Sequence, residues 1–450
     1  MAEKVRSVLF LAYYFPPFGG GGVQRSLKFA KCLPDFGWVP TVVTRPLERP
    51  VAWTPPDDAL GAELPAAVEV VRVAGPEPER RGGWWSRAER WLRVEEPFAR
   101  WWVDAVVARG REAGCGADVV YASMSPFETG EAAARLAGEL GRPWVADLRD
   151  PWALDEWLVF PSALHRRLEL RRMRRTLASA SAVVMNTPEA AAELVRQVPE
   201  VREKAVVTIP NGFDAADFGA SPPERGAGPF RIVHAGQIYP RHDPLYARFA
   251  RRALGGAVRG LDVTTRSHVT LVRAVAELHS RRPELRGAIE VHLVGSVSDE
   301  VRATLPPWVV VHGYVPHAEA VAQERAADLV FLPMHDLPGG TRSRIVPGKT
   351  YEYLVAGPPI LAAVPDGDAR DLLAAAGNAF LCRPNDVGAM ARLIGERLDA
   401  RARGERAPAV RPEVAERYER RRLTGELADL FDRVLGAPAR ESAALVAGAR

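Results

Sequence analysis

Lys349 and Glu352 stand three residues apart in the run Pro347-Gly348-Lys349-Thr350-Tyr351-Glu352-Tyr353-Leu354-Val355-Ala356-Gly357. On a helix that spacing puts an ammonium and a carboxylate on one face. Pro347 presets φ for a first turn, Gly357 falls where a C-cap belongs, and Pro359 forbids continuation, so the interval predicts one short helix and then a strand from Ile360 to Val364. The open end of such a helix offers unpaired N–H groups, and with the charge of Lys349 it can hold a phosphate. One turn further in, Glu352 can accept hydrogen bonds from paired hydroxyls such as those of a ribose. The same two side chains also make an ordinary exposed ion pair, and their surroundings must decide between the two.

Three further stretches carry chemistry. Gly19-Gly20-Gly21-Gly22 lies between an apolar strand, Val8 to Ala12, and a helical pattern from Gln24 to Leu33. At that junction Gly21 and Gly22 let backbone approach a phosphate, or form a flexible turn against a sheet. No acidic residue ends the next strand, Pro40 to Thr44, so the dinucleotide fingerprint is absent and a dehydrogenase fits poorly. Asp147, Arg149 and Asp150 directly follow a strand beginning at Trp144. Acids at a carboxyl edge can hold sugar hydroxyls or take a proton, or simply cap the turn. In the second half Gly236 closes a strand and Arg241 follows, a glycine for close anion approach and a fork for phosphate oxygens.

Around these residues the chain reads as alternating strands and helices, which argues a parallel α/β architecture. At 450 residues it exceeds what one core usually supports. The Pro/Gly-rich stretch Ser221 to Pro229 marks a boundary, giving a first domain over 1–215, a linker over 216–228, a second domain over 229–412, and a C-terminal helix and tail over 413–450 that can pack back across the boundary. Residues 244 to 267 read as an arginine-rich excursion. Facing carboxyl edges of two such domains make a natural cleft for a two-substrate reaction.

Composition sets limits. A net charge of +4 argues against nucleic acid as partner. Cys32, Cys115 and Cys382 are far apart and show neither a disulfide framework nor metal-ligand spacing. No apolar run reaches the roughly 18 residues needed to cross a bilayer, so a cytoplasmic protein, at most peripheral at the inner face of a membrane, is expected. Two segments suit a headgroup interface: Trp84, Trp85, Trp91, Trp101 and Trp102 interleaved with arginines, and a basic helix from Leu164 to Ala178. Two of the tryptophans are expected to anchor a helix on the core, and the basic run also fits a solvated face.

Several motifs, in order, resemble those of the retaining GT-B glycosyltransferases of family 4: Gly21-Gly22-Val23-Gln24-Arg25, Ile209-Pro210-Asn211-Gly212-Phe213-Asp214, Ala327-Asp328-Leu329-Val330-Phe331-Leu332-Pro333, and Glu352-Tyr353-Leu354-Val355-Ala356-Gly357-Pro358-Pro359. The likeness runs nearly end to end, each motif being weak alone. It implies two facing Rossmann-like domains with a C-terminal helix crossing back, no metal and no cofactor, and a UDP- or GDP-linked sugar as donor. On this resemblance Glu352 binds the ribose, Arg241 and Lys349 the diphosphate, and Gly313, Tyr314 and Val315 the base through backbone groups. Gly21 and Gly22 approach the phosphates from the other domain. The family's second Glu, eight positions before Glu352, is here Arg344, which implies altered donor-sugar recognition. Asp147, Arg149 and Asp150 replace the family's histidine, as in a subgroup of surface-polysaccharide and antigen enzymes, and imply acceptor or sugar contact. The acceptor is expected to be a glycan, a lipid-linked glycan or a small molecule. A GT-B nucleotide-sugar epimerase and a non-catalytic nucleotide-sugar-binding protein are the alternatives.

Overall fold

The computed structural model describes residues 5–48, 56–79, 83–94, 96–219, 228–236 and 245–436. Among these residues thirteen strands form two wholly parallel sheets. The first contains β1 (Arg6–Ala12), β2 (Trp38–Thr44), β3 (Glu69–Arg72), β4 (Val119–Ser123), β5 (Trp144–Leu148), β6 (Ala182–Met185) and β7 (Ala205–Thr208), in the order β3-β2-β1-β4-β5-β6-β7. The second contains β8 (Phe230–Ala235), β9 (Ile289–Val294), β10 (Val309–Gly313), β11 (Leu329–Pro333), β12 (Ile360–Ala363) and β13 (Ala379–Cys382), in the order β10-β9-β8-β11-β12-β13. The strand order reverses between β1 and β4 in one sheet and between β8 and β11 in the other. Loops leaving those strands flank the crevices where such sheets take ligands.

Period-two side-chain alternation explains why these strands are almost continuously apolar. Leu9 and Leu11 of β1 face the helices Pro97–Ala113 and Glu128–Leu140, whereas Val8 and Phe10 face the opposite layer. Both faces are therefore buried, as parallel sheets require. In the second sheet Ile232 and Phe331 pack toward the helices Val269–Arg281 and Val387–Ala402, and Val233 and Leu332 toward the helix Lys349–Val355.

The C-terminal helix does cross back. Leu423, Leu427, Leu430 and Phe431 of the helix Arg420–Val434 sit in the first domain's core beside Val8 and Trp38. Trp38 also donates to Asp432 at 3.1 Å. The predicted single helix is two, Pro412–Arg417 and Arg420–Val434, because between them the chain pairs with the segment between the domains: Phe213 N donates to Tyr418 O at 3.1 Å and Arg420 N to Phe213 O at 2.9 Å. Gly212 permits this crossing, since a Cβ there would lie 2.3 Å from Tyr418 O. The excursion after residue 244 contains a helix, Leu245–Ala253, seated by Ala247 and Ala250. Of the tryptophans, Trp102 is buried and donates to Thr129 at 3.0 Å, Trp101 packs beside it, and Trp91 is exposed. The side chains of Trp84 and Trp85 lie outside those described.

Candidate functional site

The helix Lys349–Val355 begins one residue beyond Gly348, and Thr350 N bonds Pro347 O at 2.9 Å. Its first turn lies against the end of β8. Lys349 Nζ donates to Ala235 O, and a Cβ on Gly236 would fall 2.0 Å from that nitrogen. Gly236 has φ of 136°, and Gly295, at φ of 146°, closes on its carbonyl so tightly that a Cβ would lie 2.1 Å away. A cation is thus packed against bare backbone at the carboxyl end of β8. Burial, and secondarily the charge of Arg266, push the Lys349 ammonium down to about 8. An incoming diphosphate would restore its charge.

Glu352, one turn on, is half-buried. Its Oε1 lies 3.9 Å from His317 Nε2, which is also 3.4 Å from Asp217 Oδ2. Burial pulls the His317 pKa down, but the hydrogen bond with Asp217 and the charge of Glu352 outweigh it and raise it to about 9. Behind them Glu324 is buried, its Oε2 has no hydrogen-bond partner, and burial followed by the Glu352 charge holds its carboxyl far above the usual range. Sequence reasoning missed both His317 and Glu324. They are seven apart on the helix His317–Arg325 and so share a face, a signal available once that helix is placed. Gly313 (φ of 76°), Tyr314 and Val315 lead from β10 into this helix, and Tyr314 is half-exposed.

On the facing edge, Gly20 at φ of 92° starts the helix Gly21–Cys32, which has no side-chain cap. Gly22 O accepts from Arg149 Nη1 at 2.5 Å, and a Cβ on Gly22 would meet the guanidinium at 3.4 Å and the Tyr14 ring at 3.5 Å. Gly21 has open space around it. Arg149 Nε lies 3.7 Å from Asp150, whose carboxylate is about half exposed. Asp147 behaves differently. It is fully buried and takes two hydrogen bonds from Arg25, at 2.7 and 2.8 Å, and one from Tyr121 at 2.5 Å. Arg25 in turn donates to Ile209 O and Pro210 O, both at 2.9 Å. Asp147 therefore ties the glycine-loop helix to the interdomain segment, and Asp150 is the carboxylate left open.

The two edges meet through residues 152–160. Glu156 is buried, and its Oε1 accepts from Ser343 Oγ at 2.7 Å and Arg344 N at 2.9 Å, with His335 Nε2 3.4 Å away. The Arg344 guanidinium contacts Leu154 O at 3.0 Å, Glu193 at 3.5 Å and Glu156 at 4.0 Å, all in the first domain. It braces the domain seam. Arg266 was also missed by sequence reasoning. It stacks on Trp157 at 4.7 Å and acts electrostatically on both Lys349 and Asp155. Burial, then Glu156 and Asp150, raise the Asp155 carboxyl to about 7. Arg241 lies outside the described residues. Glu63, Asp214 and Asp217 bring their carboxylates within 4.8 Å of one another, but Lys28 Nζ occupies the cluster at 2.7, 2.9 and 3.0 Å.

Two parallel sheets, with a cation against backbone at one carboxyl edge and an open carboxylate at the other, define a two-domain α/β architecture. Residues 20–212 match the glycosyl transferase 4-like domain and residues 256–399 the glycosyl transferases group 1 domain, together about three quarters of the chain. The chain belongs to the GT-B glycosyltransferases. Among solved structures it is similar to HepE (Alr3699) of Anabaena in complex with UDP and glucose, with 18% identity, a TM-score of 0.58, and 95% of this chain and 100% of that one covered. It is also similar to sucrose-phosphate synthase (tll1590) of Thermosynechococcus elongatus, with 14% identity, a TM-score of 0.63, and 96% and 100% covered. At such identities the likeness concerns the fold. No curated protein sequence matches the chain significantly.

Proposed function

We propose that the protein transfers a sugar from a UDP- or GDP-linked donor to a glycan, lipid-linked or small-molecule acceptor, with retention of configuration and without a metal ion. The observation that carries this reading is Lys349 held against Gly236 with Glu352 one turn further along. That HepE was solved with UDP and with UDP-glucose supports a nucleotide-sugar donor.

On this reading Glu352 takes the ribose hydroxyls, with His317 fixing its carboxylate. Lys349 and Arg266 face the diphosphate, and the family resemblance assigns Arg241 to it as well. As the bond from the anomeric carbon to the diphosphate oxygen breaks, negative charge gathers on the leaving group, and these fixed cations stabilise it most at that stage. Backbone N–H groups at Gly21 and Gly22 add to this from the first domain. Asp150 contacts the acceptor, while Asp147, enclosed by Arg25 and Tyr121, positions the loop. With Asp147 so committed, retention proceeds by departure and attack on the same face of the sugar. The surface-polysaccharide enzymes whose Asp-x-Arg-Asp-x-Trp segment Asp147 to Trp152 resembles are the expected kin, acting in the cytoplasm beside a membrane.

Release of nucleoside diphosphate from a panel of donors, with and without candidate acceptors, tests this reading, and NMR of the product reports the anomeric configuration. Acceptor-dependent release with a retained anomer is expected. Conversion of the donor into its epimer without acceptor would make the protein an epimerase, and binding without turnover would make it a sensor.

A further inference from the structure

Among the described residues eleven large apolar side chains are exposed, and five of them, Trp91, Leu92, Val94, Leu164 and Phe249, fall on three segments, of which the middle one, the basic helix, touches the other two. The segment 83–94 meets the basic helix Ala163–Ala178 where Trp91 packs edge-on to His165 at 5.3 Å and His165 Nε2 bonds Trp91 O at 3.1 Å. The third segment is the second domain's helix Leu245–Ala253, whose end is stitched to the start of the basic helix: Ala163 N donates to Leu254 O at 2.9 Å and Phe160 N to Gly256 O at 2.8 Å. Leu92 is 77% exposed, and Leu164 and Phe249 are each 59% exposed.

Charge surrounds this apolar rim. On the basic helix the outward stripe is Leu164, Arg167, Arg171 and Arg175, while Arg172 turns inward to Glu128 and Glu131. On the second domain's helix Arg248 and Arg252 flank Phe249 outward. The tryptophan segment adds Arg87, Arg90 and Arg93 against Glu89, and Glu95 and Glu96 follow it in the sequence. Exposed indole and aliphatic groups ringed by arginines match an anionic lipid surface, apolar tips entering the interface and guanidinium groups meeting headgroup phosphates.

We infer that this rim, contributed by both domains, docks on an anionic bilayer. The basic helix also holds the acceptor loop, with Arg166 Nη1 donating to Ala153 O and Asp155 O at 3.1 and 3.0 Å and Glu169 accepting from Trp152 at 2.8 Å. Docking therefore brings the loop that carries Asp150 to the lipid surface. Because Phe249 belongs to the second domain and Leu164 to the first, one bilayer contact engages the two domains together. On the transferase reading, this selects a membrane-borne amphiphile as acceptor.

Co-sedimentation with vesicles tests the inference without any donor or acceptor. The full chain is expected to bind phosphatidylcholine vesicles containing phosphatidylglycerol, to bind phosphatidylcholine alone weakly, and to be released by salt. The double variant Arg167→Glu, Arg171→Glu and the double variant Leu164→Ser, Phe249→Ser should each lose about tenfold or more in partitioning. Val310→Ser, an exposed position on the edge strand β10, should bind like wild type. All the substituted side chains are exposed, so unchanged circular dichroism and melting are expected and serve as the folding control. Absence of binding by folded wild type, or binding that survives both double variants, overturns the inference. So does a wild-type dimer that Phe249→Ser converts to monomer while vesicle binding is absent. Nucleotide-induced stabilisation, measured separately, tests the transferase reading and is untouched by any of these outcomes.

Discussion

Lys349 and Glu352 were legible because both their chemistry and their spacing lie within one helical turn. The residues that surround them were not. Asp147 and Arg25 are 122 residues apart, and only the sheet brings them together. An acid after a strand looked like a substrate contact until a bidentate guanidinium enclosed it. His317 is the opposite case, a residue passed over whose pKa is raised to about 9. Because that value lies above its unfolded 6.5, the stabilisation is complete below pH 6.5 and is lost as pH rises through about 9. Thermal melts of wild type should show a loss of order 2 kcal/mol across that window, which His317→Gln should abolish. Lys349 predicts the pH dependence of binding. On the proposed reading a diphosphate binds the charged ammonium, so affinity should fall as pH climbs through about 8, by up to about tenfold per pH unit, and titration calorimetry on Lys349→Met should show weak binding without that slope.

At the scale of elements, the strands were readable because parallel strands buried on both faces are short apolar runs bounded by turns. The missed helix, Leu245–Ala253, shows why others were not: its buried contacts come from Ala247 and Ala250 while the large Phe249 faces outward among arginines, so the apolar pattern does not mark a core face. The break in the last helix was equally invisible, since its cause is a backbone pairing with Phe213 more than two hundred residues away. The packing of the Lys349 helix on the end of β8 yields a sharp prediction. In Gly236→Ala the new Cβ would overlap Lys349 Nζ, and φ of 136° strains any residue with a side chain. The ammonium must swing away, so nucleoside diphosphate affinity should fall at least about tenfold while stability falls by about 1–3 kcal/mol. Calorimetry and denaturant melts check the two effects separately.

For the whole molecule, two sheets with reversed strand order and a returning C-terminal helix were legible from the order of motifs, whereas the closed seam was not. Glu156 holds Ser343, Arg344 and His335 from across the interface, and Thr187 Oγ1 donates to Arg344 O at 2.8 Å. Arg344 replaces an acid of the resembled family, and its bracing of the first domain accounts for a basic residue there. Removing the Glu156 carboxylate leaves its buried partners unpaired, so Glu156→Ala should cost about 2 kcal/mol and enlarge the radius of gyration in solution scattering, while nucleotide binding by the second domain persists.

The claim on which the rest depends is that Lys349 and Glu352 bind a nucleoside diphosphate. Thermal stabilisation of wild type and of Lys349→Met, across UDP, GDP and their sugars, tests it most directly, because a ligand that binds the folded state raises the melting temperature by mass action. A selective rise with one nucleotide family in wild type, lost in Lys349→Met, is the predicted result. No rise with any ligand in folded protein, or an equal rise in the variant, would contradict it.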